Sequence, residues 1–425
     1  MKKYDALVPP VLLIVSLVLS ACGPGMAGSR LERSAPSPAG EADIPELVAG
    51  NTAFAIDLYQ AARTPDANLV FSPYSISLAF AMAFGGARGE TAIQMADSLH
   101  FSLPQERFHA ALNALDLDLA GRPDETEWVE QDDRFNLQIA NAVWGQEDWS
   151  FRPEYLDLLA LQYGAGVRLV DFSGAPETAR QQINEWVSAQ TRRRIRDIVP
   201  PGAIGSDTRM VLANAIYFKA SWSTEFDPDL TSDGLFHLPD GSLVPVPMMS
   251  HGSATPLAYG SGDDWQAVSL PYRGGLTEML VIVPDEGTFP GFSAQFNTDQ
   301  YEQVIASLQY ASVQLAVPKF SFETPLGLSS LMAALGMPDA FDPAAADFSG
   351  IDGTRLLFIS DALHKAFIAV DEQGTEAAAA TVLIMEVTSA PEQGVILTID
   401  RPFLFFIRDV PSGTVLFMGQ VLDPR

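Results

Sequence analysis

The sequence predicts a single α+β domain, and three observations lead to this class. Segments with helical spacing and segments with strand-like alternation are mixed along the chain, without the regular alternation of strands and helices that is typical of parallel α/β folds. From Ile44 onward the composition is globular, with no dividing linker and no internal repeat. The 425 residues, 47% of them hydrophobic, could form two or three domains, but they equally allow one domain with a large core.

Helices are predicted where apolar residues recur at helical spacing. The first begins at Pro45, a residue that is acceptable at a helix start, and Gly85 and Gly86 divide the next apolar stretch into two helices. An acidic insertion at 121–134 is predicted to be an exposed loop. The predicted helical segments are 45–63, 72–99 and 177–199, the last of which ends in a basic cluster.

Strands are predicted where apolar residues alternate or run continuously. The segment 312–337 combines a strand, a turn and a helix. The other predicted strands lie in 134–146, 209–222, 265–284, 356–372, 394–409 and 413–424.

The first 43 residues are predicted to be an export signal and a tether. "MKK" is a charged start, "LVPPVLLIVSLVLS" is an apolar core too short for a comfortable membrane span, and "LSAC" is a small-residue cleavage site. "LSAC" resembles the lipobox of bacterial lipoproteins. We therefore expect a signal peptide over 1–21, a lipidated Cys22, a flexible Gly/Ser/Pro tether over 22–43, and an extracytoplasmic protein anchored to a bacterial membrane or cell surface. The alternative is an ordinary secretory signal.

Charge and motif content exclude several classes of function. The net charge of −28 argues against a nucleic-acid partner, because phosphate binding needs a basic surface. The single cysteine, Cys22, excludes an internal disulfide. No metal-ligand spacing, phosphate loop, dinucleotide fingerprint or nucleophile elbow occurs, so we expect no metal, no cofactor and no enzymatic activity.

The stretch "DEQGTEAAAATVLIMEVTSAPEQG", 371–394, suits two conformations. Its four alanines favour a helix, whereas its β-branched residues favour a strand. In extended form one face is free of charge, and that face could enter a sheet. The face consists of Thr375, Ala377, Ala379, Thr381, Leu383 and Met385.

"VDEQGTEAAAAT" resembles the proximal hinge of the reactive-centre loop in inhibitory serpins. "NLVFSPYSISLAFAMAFGGARGET", "LANAIYFKASW", "ISDALHKAFIAVDE" and "DRPFLFFIRD…GTVLFMGQV" are similar to other serpin segments, in the family's order from about Ile44 to Arg425. The resemblance implies a serpin fold over 44–425. Such a fold has three β-sheets with a large central one, about eight or nine helices, and an exposed reactive-centre loop, here 372–394.

The resemblance also implies a suicide-substrate inhibitor. A protease attacks the loop and forms an acyl-enzyme, and the cleaved loop then inserts into the central sheet before water can release the acyl group. The alternatives are a non-inhibitory binding or scaffold protein, and a cross-class inhibitor of cysteine proteases. The hinge residues are expected to be Glu372, Gly374, Thr375, Ala377, Ala378, Ala379 and Ala380.

Counting from Glu372 at the family's usual spacing places the reactive bond between Thr388 and Ser389, with Val387 as the alternative specificity residue. The segment 372–400 contains no lysine or arginine, which argues against a trypsin-like target. A small residue before the cleaved bond suits an elastase-like protease, whose primary pocket is shallow. Cleavage at Met385 by a chymotrypsin-like or subtilisin-like protease remains an alternative. We expect a monomer whose partner is this protease.

Further residues match serpin positions around the opening of the sheet. Trp222 matches a tryptophan near the entry of the loop, with simple core packing as the alternative. We do not expect the basic cluster 192–196 to bind heparin, because it ends a helix, where cations stabilise the helix dipole. The resemblance implies a hydrogen-bonded cluster that controls opening, with a satisfied core cluster as the alternative: Ser72, Ser75, Asn214 and His364.

Overall fold

The computed structural model describes residues 25–125, 129, 136–375 and 394–425. The α-helices of the described residues are α1 (Pro38–Ala62), α2 (Pro73–Phe84), α3 (Gly89–Ser98), α4 (Gln105–Glu125), α5 (Pro153–Tyr163), α6 (Pro176–Gln190), α7 (Phe289–Gln295), α8 (Thr298–Ser307), α9 (Leu328–Leu335) and α10 (Ser349–Asp352). The resemblance implied about eight or nine helices, and the described residues form ten, of which α7 and α10 are the shortest.

The strands are interspersed with these helices, without the regular strand–helix–strand repeat of parallel α/β folds. The strands of the described residues are β1 (Gly25–Ala27), β2 (Leu69–Phe71), β3 (Asn136–Gln146), β4 (Val167–Val170), β5 (Met210–Ser221), β6 (Ser232–His237), β7 (Leu243–Ser250), β8 (Thr255–Ser261), β9 (Trp265–Pro271), β10 (Thr277–Pro284), β11 (Gln309–Pro318), β12 (Phe320–Gly327), β13 (Asp361–Val370), β14 (Gly374–Thr375), β15 (Val395–Thr398), β16 (Phe403–Asp409) and β17 (Val415–Val421).

Seven of these strands form the central sheet, in the order β1-β4-β3-β5-β14-β13-β12. The other ten form the second sheet, in the order β2-β17-β16-β10-β9-β8-β11-β7-β6, with β15 paired to β11. We expected three sheets. Hydrogen bonding joins the described strands into two sheets, because β8 pairs with β9 along one edge and with β11 along the other.

Helices cover both faces of the central sheet. On one face α2 contacts β3 and β5 within a large core that continues into the second sheet. On the other face α6 and the chain that follows it form a smaller core, with Ile195, Ile198 and Val199 against Ala213, Ala215 and Leu363. Any strand added to the middle of the sheet would therefore meet α2 on one side and the α6 layer on the other.

The segment that we expected to be a flexible tether is ordered in part. Its residues Gly25–Ala27 form β1, which pairs antiparallel with β4 at the edge of the central sheet. The Arg33 guanidinium donates to Asn113 Oδ1 at 2.8 Å and to Asp116 Oδ2 at 2.7 Å. The helix that we expected from Pro45 starts at Pro38 instead, because Ser37 Oγ accepts from Gly40 N–H at 3.1 Å and caps it. These contacts attach the segment to the domain.

Among the described residues no helix is both long and apolar enough to cross a bilayer. The same residues contain no group of three or more histidine, cysteine, aspartate or glutamate side chains arranged to hold a metal ion.

Candidate functional site

The candidate site lies where two central strands separate. β5 and β13 pair in parallel from Val211 with Asp361 to Ile216 with Ala366, and we call this stretch the seam. Beyond Ile216 and Ala366, at a point that we call the fork, β14 lies between the two strands and pairs antiparallel with both. Since β14 points toward the seam, its continuation along the same line would enter between β5 and β13.

Close packing at β14 admits only small residues. A Cβ atom on Gly374 would lie 2.1 Å from the Ala220 carbonyl oxygen, so glycine is required there. Thr375 is 2% exposed, and its Oγ1 lies 2.6 Å from the Tyr272 phenol oxygen. Burial raises the pKa of Tyr272, so the phenol keeps its proton for this hydrogen bond. The loop that we expected to be exposed from Glu372 therefore begins with a buried, paired segment.

Trp222 holds the backbone that leads into β14. Its indole stacks on Tyr272, with ring centroids 4.5 Å apart and planes 9° apart. Its Nε1–H donates to the Asp371 carbonyl at 2.9 Å, and its backbone N–H donates to the Gln373 carbonyl at 2.8 Å. The tryptophan is both a core residue and a direct partner of the hinge.

An ion pair fixes the first hinge residue, Glu372. Its carboxylate accepts from Lys319 Nζ at 2.6 Å and from Thr231 Oγ1 at 2.8 Å. Partial burial acts to raise the pKa of Glu372, but the hydrogen bonds outweigh it and the pKa lies below its usual value. Sequence reasoning missed Tyr272, Lys319 and Thr231, because only the fold brings these distant residues to the hinge.

A buried polar cluster, which we call the seam cluster, crosses the closed seam. It consists of Ser72, Ser75, Asn141, Asn214 and His364. Asn214 Nδ2 donates to the Ser75 carbonyl oxygen and to Ser75 Oγ, both at 2.6 Å, and it also contacts Asn141 Oδ1. The backbone N–H of Ser75 donates to Ser72 Oγ at 3.1 Å at the start of α2. The cluster thus ties β3, β5 and β13 to the helix beneath them.

The proton on His364 is placed by its two neighbours. Nε2 accepts from the backbone N–H of Ser72 at 3.2 Å, so Nδ1 must carry the proton, which it donates to Asn214 Oδ1. Burial lowers the pKa of His364 to about 3, which keeps the imidazole neutral. A neutral ring satisfies both hydrogen bonds, whereas a protonated ring would turn a donor toward the Ser72 N–H.

The structure brings together the four residues that the resemblance placed in one cluster, and it adds Asn141. Strand register explains why Asn141 belongs to the cluster. On neighbouring strands Asn141 pairs with Asn214, and Asn214 pairs with His364. The other sequence-predicted site residues lie outside the described residues: Cys22, Ala377, Ala378, Ala379, Ala380, Val387, Thr388 and Ser389.

The comparisons with known proteins decide the family. The family model described as serpin (serine protease inhibitor) matches residues 49–424. The chain belongs to the serpin family. A leukocyte elastase inhibitor from Homo sapiens is 36% identical over 391 residues, which cover 89% of this chain and all of that protein. A serpin-like protein from Thermococcus kodakarensis is 39% identical over 374 residues, covering 88% of this chain and 84% of that one.

Solved serpin structures share the fold. The native state of tengpin, a thermophilic serpin, matches with a TM-score of 0.82 and 27% identity, covering 94% of this chain and all of tengpin. The comparisons confirm the predicted serpin fold with its large central sheet.

Acidification is expected to destabilise this serpin between pH 6.5 and pH 3. Burial lowers the pKa of both His364 and His109 to about 3, so in this window the native state binds fewer protons than the unfolded state. Each histidine should therefore reduce the free energy of unfolding by about 1 kcal/mol between pH 6.5 and 5.5. Urea titrations at these two pH values measure the loss.

The variant His364→Asn is the control for this pH dependence. It removes one titrating group, so the loss of stability over this interval should shrink by about 1 kcal/mol. A pH dependence identical to that of the wild-type protein would mean that His364 does not titrate in this way.

Proposed function

We propose that this serpin inhibits a serine protease as a suicide substrate. The observation that carries the proposal is the position of β14, which already lies between β5 and β13 and points along the seam. A cleaved loop that continues from Thr375 would extend an existing strand and would not need to start a new one.

The register supports a strand of matching length. Thr375 pairs with Val370 of β13 and with Ala220 of β5. If this antiparallel register continues, Ile384 faces Asp361 at the start of β13, and Met385 faces Met210 at the start of β5. The segment 375–385 would then fill the whole seam, and residue 388 would emerge at the opposite end of the sheet.

The side chains of the segment suit the two faces of that slot. Thr375 points toward Tyr272 and the larger core. Strand alternation then directs Ala377, Ala379 and Thr381 to the same core, whereas Glu376 and Glu386 face the α6 side. The face that enters the core carries no charge, so its burial needs no ion partner.

The chemistry belongs to the protease and to one peptide bond of the loop. The serine oxygen of the protease attacks the carbonyl carbon of Thr388 and gives up its proton to the histidine of the protease. The bond to Ser389 breaks, that proton passes to the departing amine, and an ester between Thr388 and the protease remains. Insertion of 376–388 would carry this ester to the far end of the sheet before water hydrolyses it.

The target that we propose is an elastase-like serine protease. A small residue at 388 suits a shallow primary pocket. The similarity to a leukocyte elastase inhibitor supports this choice.

The test is to mix a fragment that begins at Gly25, and so keeps β1, with pancreatic elastase. Denaturing gels and intact-mass spectrometry then follow the products. The proposal expects an SDS-stable complex and a released peptide that starts at Ser389. Cleavage in the loop without a complex, for elastase and for subtilisin alike, would overturn inhibition by trapping and would favour a non-inhibitory serpin. A stable complex with papain alone would favour the cross-class alternative.

The variant Thr388→Arg should redirect inhibition toward trypsin. An arginine at this position pairs with the carboxylate of the trypsin pocket, and we expect the association rate with trypsin to rise about 100-fold or more. Stopped-flow inhibition assays with trypsin and elastase measure the change. The matched variants Val387→Arg and Ser389→Arg test the register, and a larger gain from either one would move the reactive bond by one residue.

We further propose that Cys22 anchors the protein to an extracytoplasmic membrane surface through acyl chains. The support is the small-residue site "LSAC" after an apolar segment. The variant Cys22→Ser should shift the protein from the membrane fraction to the soluble fraction, as judged by fractionation and immunoblotting. The variant Ser20→Ala, which keeps the cysteine, serves as control. Continued membrane attachment of Cys22→Ser would contradict the anchor.

A further inference from the structure

A turn rich in arginine follows α6 and lies over the central sheet. Thr191 closes it: its Oγ1 donates to the Val187 carbonyl at 2.8 Å and accepts from the Ile195 N–H at 3.2 Å. Ile195 is fully buried in the smaller core. Arg192 and Arg193 have φ angles of 48° and 65°, which non-glycine residues adopt only under local constraint. The turn therefore has a defined position over the strands.

Two arginines of this turn lie over different strands. The guanidinium carbon of Arg192 is 5.8 Å from the ring centroid of Tyr217 on β5. That of Arg194 is 6.0 Å from the ring centroid of Phe367 on β13. The last residue pair of the seam is Ile216 with Ala366, so Tyr217 and Phe367 are the first residues beyond it. The two arginines thus lie on opposite sides of the fork.

Arg192 is also bound to the β5 side. When the Gln138 side-chain amide is oriented so that both its nitrogen and its oxygen form hydrogen bonds, the oxygen accepts from Arg192 Nε–H at 3.3 Å. Gln138 is on β3, which pairs with β5 along ten residues, from Asn136 to Gly145. A strand inserted between β5 and β13 would leave this pairing intact. Opening of the seam would therefore move Tyr217 and Phe367, the two rings beneath this one turn, with different halves of the sheet.

We propose that Arg192 and Arg194 act as positioning residues that restrain the opening of the seam at the fork. We call the pair the arginine bridge, and the proposal rests on the proposed inhibition by loop insertion. An inserted strand moves Tyr217 and Phe367 apart by up to about 4.8 Å, one strand spacing. Cation–ring contacts extend to about 6 Å, so both contacts are already at their limit and at least one is lost when the seam opens. The bridge thus raises the barrier to insertion.

The test uses sheet opening alone, without a protease. A synthetic peptide with the sequence of residues 375–388 is incubated with the intact protein, and its annealing is followed by native gels and mass spectrometry. The variant Arg194→Met keeps an apolar stem of similar length and removes the cation. It should anneal the peptide about two- to fivefold faster than wild type, since one exposed cation–ring contact contributes that factor.

Matched variants separate the bridge from general effects of charge or packing. Arg193→Met removes the same charge from the neighbouring residue, which lies over no aromatic ring of the described residues, and should leave the rate nearly unchanged. Phe367→Leu should accelerate annealing, and adding Arg194→Met to it should produce no further increase. Any of three results would overturn the bridge and leave the proposed inhibition standing. They are equal effects of Arg193→Met and Arg194→Met, no effect of Arg194→Met, and an additive effect of Arg194→Met and Phe367→Leu. Failure of the wild-type sheet to accept peptide under any condition would overturn both.

Discussion

The variant Thr375→Arg is expected to convert the protein from an inhibitor into a substrate. Thr375 is buried between β5 and β13 against Tyr272, so an arginine there places an unpaired cation in the core. In the native state the variant can relieve this cost by releasing β14 from the fork, whereas insertion must bury the cation again. The cost, several kcal/mol, would therefore slow insertion by about 1,000-fold or more and allow hydrolysis of the acyl-enzyme to finish first. Titration of elastase with the variant should give cleaved protein with almost no SDS-stable complex.

The conservative variant Thr375→Ser is the control. It keeps a small side chain and a hydroxyl for Tyr272, so the stoichiometry of inhibition should stay near that of wild type. Inhibition by Thr375→Arg at the wild-type stoichiometry would show that this residue does not need to be buried, and the insertion mechanism would then be wrong for this protein.

The variant Asn214→Ala is expected to destabilise the native state by about 1–3 kcal/mol relative to the loop-inserted state. The substitution leaves His364 Nδ1–H without its acceptor and removes two hydrogen bonds to Ser75 in a site closed to water. The bond between His364 and Asn214 crosses the seam that insertion would split, whereas the bonds to Ser75 join β5 to α2. The native form should therefore lose more stability than the cleaved form. Thermal unfolding of both forms measures the difference.

A second buried asparagine offers a matched control for Asn214. Asn184 on α6 bonds the backbone of Val199 through both ends of its amide, at 2.9 and 3.0 Å, within the α6 layer and not across the seam. Asn184→Ala should lower the thermal stability of the native and cleaved forms by similar amounts. A similar, form-independent effect of Asn214→Ala would mean that the seam cluster supports the core without controlling the opening.

Local sequence patterns predicted many elements because their signals lie within each segment. Alternation in 209–222 and apolar runs in 394–424 led to β5, β16 and β17, and the glycine pair at 85–86 marked the end of α2. The prediction of a flexible tether fails over 25–43, and the reason is physical. Glycine, serine and proline favour flexibility in isolation, but β1 gains a partner in β4, and Arg33 gains an ion pair with Asp116. Neither partner is near in sequence.

The sequence by itself determined the family, the charge-free face of the loop and the small hinge residues, because these depend on residue type and order along one segment. Only the tertiary structure decided that Thr375 is already buried, that Lys319 neutralises Glu372, and that Asn141 joins the seam cluster. These facts depend on contacts between residues more than 50 positions apart in the chain. Strand order and register bring such residues together, and no local propensity encodes them.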